Sequence, residues 1–163
     1  MTANQPEQHR PTIVVGYDGS PSSRAAVAHA LDLAGTTGSV HLVYAYFVPN
    51  DFVGASYYEF ARQDAQSAAE AVVADLKGEE PRLAEVAAES HVVLGEPAKQ
   101  LCRIAEEREA DAIVVGTRGL GRFRGAILGS VAQDLLHRAD RPVTVIPDRM
   151  VKRVGEPAAE VAA

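Results

Sequence analysis

TIVVGYDGSPSSRAAVAHALDLAGTTGSVHLVYAYFV, residues 12–48, sets the fold. TIVVGYD (12–18) is a short β-branched run that ends at a turn signal, Asp18-Gly19. Ser20-Pro21 then opens a helix, with serine as cap and proline at the first position. The apolar stripe Val27, Ala30, Leu31 and Ala34 gives that helix a buried face, and GTTG ends it. SVHLVYAYFV (39–48) is the second strand. A strand, a helix and a second strand joined in this way form one β-α-β unit.

The same alternation continues through the chain. A helix is expected at 57–77, with Ala61, Ala65, Ala68, Ala69, Val72 and Leu76 on one side and Gly78 as its stop. SHVVLGEP (90–97) reads as the third strand, followed by a helix from Ala98 to Glu109 through Leu101, Ile104 and Ala105. DAIVVGT (111–117), VAQDLLHRA (131–139) and RPVTVIP (141–147) supply a fourth strand, a fourth helix and a fifth strand. Strands rich in β-branched residues at both alternate positions imply burial on both faces, hence a parallel sheet flanked by helices. Right-handed crossovers then restrict the topology to a three-layer, doubly wound Rossmann-like α/β sandwich with a five-stranded parallel sheet. The expected division is a tail at 1–10, one folded domain at 11–148 and a second tail at 149–163.

The totals exclude several function classes. A length of 163 residues suits one domain, and the net charge of −6 argues against a nucleic-acid binder. Arg118, Arg122 and Arg124 form the one candidate basic patch. Cys102, the sole cysteine, falls inside a helix and reads as a small core residue in a reducing compartment. The N-terminus MTANQPEQHR lacks an apolar core of the secretory type, and no stretch approaches the length of a membrane span. The expectation is a cytoplasmic protein with no membrane contact.

In open sheets of this kind, ligands bind beyond the carboxyl ends of the strands, where the strand order reverses. The segment GTRGLGRFRGAILGS (116–130) occupies such a position, with five glycines and three arginines. Gly119 and Gly121 would let consecutive backbone N–H groups turn inward as an anion-binding nest. Gly129, Ser130 and Val131 sit near the start of the fourth helix, whose N–H groups and dipole favour phosphate. The Ser130 hydroxyl either caps that helix or donates to a phosphate oxygen. A glycine-rich surface turn with ordinary capping is the plainer alternative, and the arginines shift the balance toward polyphosphate.

Asp18 has two readings as well. It is an Asx-type turn residue before Gly19, or a carboxylate that accepts from ribose hydroxyls or an adenine amine. Gly16 would clear space for a ligand, and the backbone around Ala45 could offer a donor and an acceptor to a purine edge. No Gly-Lys-Ser/Thr of a Walker loop occurs, the turn after the first strand is not G-x-G-x-x-G, and the acidic and lysine positions of a phosphoacceptor receiver are missing.

With VVGYDGS, the spacing G-x-x-G-x9-G-S at Gly116, Gly119, Gly129 and Ser130, and RPVTVIP, the chain resembles the universal stress protein family from about Pro11 to Pro147. That spacing marks the family's ATP-binding branch. The resemblance implies ATP with Mg²⁺ between the ends of strands one and four. Gly16 and Asp18 would serve the nucleoside and Ala45 the adenine. Gly116, Thr117, Arg118, Gly119, Leu120, Gly121 and Arg122, with Gly129, Ser130 and Val131, would wrap ribose and phosphates. Arg122 and Arg124 are further phosphate partners or solvated loop charges. The resemblance also implies a stress-signalling homodimer, formed through Val143, Thr144, Val145 and Ile146 of the last strand, an edge that pairing would satisfy.

Tyr57, Tyr58 and Phe60 are read as core packing of the second helix, with a lid over adenine as the alternative. His29 and His137 are expected half-buried on helices. No H-x-x-x-H pair, Ser-His-Asp set or paired carboxylates point to metal or nucleophilic chemistry. Slow Mg-dependent ATP hydrolysis ranks second to a pure binding module, because no base for the water is evident. The related adenine-nucleotide fold of electron-transfer flavoprotein subunits ranks third.

Overall fold

The computed structural model describes residues 9–48, 55–117 and 128–147. In chain order they form β1 (Thr12–Gly16), α1 (Pro21–Ala34), β2 (Ser39–Tyr46), α2 (Ala55–Glu79), a 3₁₀ turn (Pro81–Ala84), β3 (Ala87–Leu94), α3 (Pro97–Glu107), β4 (Ala112–Gly116), α4 (Ser130–Arg138) and β5 (Val143–Ile146). The sheet is parallel throughout, in the order β3-β2-β1-β4-β5. The chain therefore winds outward from β1 to β3, returns to β4 and winds out the other way. This is the expected three-layer, five-stranded sandwich.

Alternation along the strands splits the core in two. Ile13, Val15, Val40, Leu42 and Val114 pack with Val27 and Leu31 of α1 and Val73 and Leu76 of α2. Val14, Val43, Ile113 and Val115 pack on the other face with Leu101 and Ile104 of α3 and Leu135 of α4. Each fully buried valine or isoleucine contributes about 1.5–3 kcal/mol of transfer free energy, which makes β1 and β4 the stable spine of the sheet. Burial on both faces holds for those strands. It fails for β3, whose first three residues are all exposed, because an edge strand has helix cover over only part of its length.

The α1 start follows the expected chemistry. Ser20 caps it by accepting the Ser23 N–H at 3.2 Å, and Pro21 stands at the first position. The end of β4 lies hard against this turn. A Cβ on Gly116 would come within 2.7 Å of Ser22 Oγ and 2.8 Å of the Ser22 backbone, closer than packed atoms tolerate. On the opposite side of the molecule, Arg141 Nη1 donates to the carbonyls of Ala105 at 2.6 Å and Ala110 at 2.9 Å, tying the entry to β5 onto the last turn of α3 and the loop that follows it.

Several boundaries move. The third strand spans Ala87–Leu94 rather than 90–97, since Gly95-Glu96 forms the turn and Pro97 is the first residue of α3. Helix α2 runs through Gly78 to Glu79 and stops only before Pro81. Core packing fails for Tyr57 and Phe60, which are 62% and 68% exposed, whereas half-buried Tyr58 packs beside Tyr46, Val48 and Ala69. His29 is half-buried on α1, but His137 on α4 is exposed. Half-buried Cys102 lies against the α3–α4 core, and burial pushes its thiol pKa up.

Candidate functional site at the parting of two strands

The central strands β1 and β4 separate at their carboxyl ends, and the hydrogen bonds show why. Their register runs as far as Val15 and Val114. Beyond it the Tyr17 N–H donates to Val43 O of β2 at 2.9 Å, while the Thr117 N–H donates to Ile146 O of β5 at 2.8 Å. Each strand leans toward its outer neighbour, which opens the crevice expected where strand order reverses. The pocket there holds about 520 Å³ of atom-free space, open solvent included.

Gly16, Asp18, Ala45, Gly116 and Val131, all singled out from the sequence, line this pocket. A Cβ on Gly16 would press on Val115 at 3.1 Å and Leu101 at 3.2 Å, both pocket walls, so its absence preserves the cavity. The turn reading of Asp18 holds, since its Oδ1 accepts the Ser20 N–H at 3.0 Å. That bond fixes the carboxylate at the rim without removing it from the pocket.

Ala45 acquires its geometry from parity. Val43 O bonds toward β1 and Tyr46 O accepts the Gly95 N–H at 2.8 Å on the β3 side. Alternate residues of a strand point their main-chain groups to opposite neighbours. The N–H and C=O of Ala45 therefore face the β1 side, past the point where β1 has left the ladder. One donor and one acceptor stand side by side at the pocket wall.

At the other end, Gly129 occupies the cap position of α4 with no side-chain cap, and Ser130 is the first helical residue. Ser130 is thus not the cap, one of its two expected roles. The Gly129 N–H donates to Thr117 O at 2.6 Å, so Thr117 and Gly129 clasp the two ends of the glycine-rich segment rather than line the pocket. Arg118, Gly119, Leu120, Gly121, Arg122 and Arg124 lie outside the described residues.

The sequence reading missed Tyr17, Ser23, Val43, Pro97, Leu101 and Val115, which complete the pocket lining. Pro97 carried a usable signal, because Gly95-Glu96-Pro97 is also a turn at a strand's carboxyl end. The Tyr17 hydroxyl is buried and has no hydrogen-bond partner among the described residues. Burial raises its pKa above the ordinary 10, Asp18 adding to the effect and the nearby Arg24 guanidinium opposing it. Apolar walls, one carboxylate, a paired main-chain donor and acceptor, and a helix N-terminus make a site for a flat heterocycle carrying a polar tail.

Comparison with known proteins places the chain in a family. The profile described as "Universal stress protein family" matches residues 9–147. The chain belongs to the universal stress protein family. A Thermus aquaticus member, "Universal stress protein in QAH/OAS sulfhydrylase 3'region", is 34% identical over 137 residues, 83% of this chain and 97% of that protein. A Mycobacterium tuberculosis member is 36% identical over 141 residues, 86% of this chain, which spans about half (46%) of that longer relative. Among solved structures, UspA from Lactobacillus plantarum superposes with a TM-score of 0.71 at 20% identity, covering 85% of this chain and 98% of that one. A universal stress protein in complex with cAMP is 29% identical with a TM-score of 0.54, covering the same shares. Among the described residues no helix is long and apolar enough to cross a membrane.

Proposed function

We propose that this universal stress protein binds ATP with Mg²⁺ in the β1–β4 crevice and acts as a stress-signalling homodimer. The observation that carries the reading is the order of groups along one pocket. The Ala45 N–H and C=O would read the adenine edge, with Val43, Leu101 and Val115 as apolar walls around the ring. Asp18 would accept from the ribose, and the α4 N-terminus, without a side-chain cap, would meet the phosphates. The family member crystallised with cAMP supports the adenosine end. The glycine-rich segment supports the polyphosphate end.

Among the described residues, Asp18 is the one acidic residue lining the pocket. Magnesium would therefore be held mainly by phosphate oxygens and water, as suits an ion reluctant to dehydrate. Bound there, it would neutralise phosphate charge. The chain's part is to hold and orient the nucleotide.

Dimerisation through the last strand fits β5, which forms one edge of the sheet. The Ile113 N–H donates to Pro142 O, and the Thr117 N–H to Ile146 O, so residues 142, 144 and 146 face β4. Val143 and Val145 then turn their main-chain groups outward, ready for a second copy.

Calorimetry with ATP, AMP and cAMP in magnesium buffer tests the reading. ATP is expected to bind at one site per chain and more tightly than the monophosphates. Absence of heat with all three overturns the adenosine site, and equal affinities overturn the polyphosphate part alone. Val145→Pro, examined by sedimentation, is expected to convert dimer to folded monomer.

A further inference from the structure

A second constellation lies on β2 and β3 beside the nucleotide crevice, at residues that do not line it. The parallel register sets His41 opposite Glu89 and Val43 opposite His91. All three chemistry-bearing side chains share the sheet face that carries Val43 and packs under α3, by the two-residue period of a strand. His41 Nδ1 lies 3.1 Å from His91 Nε2 and 3.5 Å from Glu89 Oε2, and His91 Nε2 lies 3.9 Å from Glu89 Oε1.

The 3.1 and 3.5 Å separations have the size of the edges of a metal coordination shell, and a small turn of the exposed Glu89 carboxylate would bring one oxygen within the same range of His91. Zinc bonds to imidazole nitrogen and carboxylate oxygen are about 2.0–2.2 Å, so neighbouring ligands of a tetrahedral site stand roughly 3.3–3.5 Å apart. We propose that His41, Glu89 and His91 form a binding site for a divalent transition metal ion of the zinc class. Two nitrogens and one oxygen are the donor set that such borderline ions accept, and a hard ion such as magnesium would want more oxygens. The exposed side of the edge strand β3 leaves the fourth position to water.

The surroundings fit a ligand set. Arg108, at the end of α3, donates to Glu89 Oε1 at 2.7 Å, which orients the carboxylate and leaves Oε2 toward His41. Its positive charge opposes the ion, while the nearby Arg103 is paired with Glu107 at 2.6 Å. In the metal-free pair one ring nitrogen must donate to the other. When an ion takes both lone pairs, the donating ring carries its proton on its other nitrogen, with no net proton released.

Cobalt(II) serves as the probe on EDTA-stripped full-length protein. One equivalent per chain is expected to give the intense visible bands of a low-coordinate site, bleached by one equivalent of zinc. His91→Gln and Glu89→Gln are each expected to weaken cobalt binding by about 100-fold or more, since even loss of a supporting partner costs 10–100-fold. Far-UV circular dichroism confirms that these variants fold, and Glu89 is exposed enough for its change to be benign. A wild-type spectrum no stronger than aqueous cobalt overturns the proposal and leaves a structural His–His hydrogen bond. Equal cobalt affinity in wild type and the His41→Gln/His91→Gln double variant also overturns it, by assigning the ion to other ligands.

Discussion

The two ends of the β1–β4 pair are built oppositely. At the amino end, the Asp111 N–H donates to Thr12 O at 2.8 Å, and the Thr12 N–H donates back to Asp111 Oδ2 at 2.7 Å. At the carboxyl end the same strands give their next N–H groups to β2 and to β5. One end is knotted and the other is parted. A continuous ladder has no main-chain group to spare for a ligand, so the crevice forms where pairing stops while the adjacent strands remain rigid. The stability of one end is what lets the other stay open.

The largest test of that contrast is Leu101→Ala. This residue is buried in the α3 core and also walls the crevice. Its truncation is expected to cost about 2–5 kcal/mol in chemical denaturation. A cost near zero would mean that the pocket wall is not part of the core.

Asp18→Ala addresses the open end directly. It is expected to weaken ATP binding by about 1.5–3 kcal/mol, roughly 10- to 150-fold in Kd, with the fold retained. Undiminished affinity by calorimetry would remove the carboxylate from the site. The His41→Gln/His91→Gln double variant asks whether the crevice depends on the neighbouring edge of the sheet. ATP affinity is expected to shift by less than about 0.5 kcal/mol, roughly twofold in Kd, since neither histidine lines the crevice and Val43 stands between them and it.

The smallest effect concerns the knotted end. The Thr12 N–H, with help from His9, holds the Asp111 carboxyl below its ordinary 3.8. A lowered carboxylate pKa means that the unfolded chain binds the proton more readily. Its stabilising share is complete above about pH 3.8 and disappears as pH falls through the lowered folded value. Asp111→Asn is expected to flatten the acid limb of the stability curve slightly, since solvent screens this half-exposed group. An unchanged acid limb would show that the clasp is held by the main-chain bond alone.

The fold was legible because each strand and helix carries its period within a few residues. The pocket was legible in part for the same reason. Gly16 and Asp18 belong to one short turn, and Ala45 ends one strand. What escaped was contact across the chain. Leu101 and Val115 looked like ordinary core positions, and nothing local says that a core side chain also faces a crevice. Tyr57 and Phe60 looked like core because aromatic residues on a helix usually are, yet α2 covers an edge where little sheet remains beneath it. The His41–Glu89–His91 group was invisible for a further reason. Its partners stand about fifty positions apart, and only strand register makes them neighbours. A search for closely spaced histidines cannot find a site assembled by pairing.

The contact between Gly116 and Ser22 carries a lesson for tracing descent. A helix pressed against the chain will tolerate no side chain at that position whether or not a nucleotide ever arrives. Descendants that abandon their ligand should keep this residue, and lose first the members of the signature that no helix guards. Its presence in a relative is therefore testimony about architecture and not about cargo.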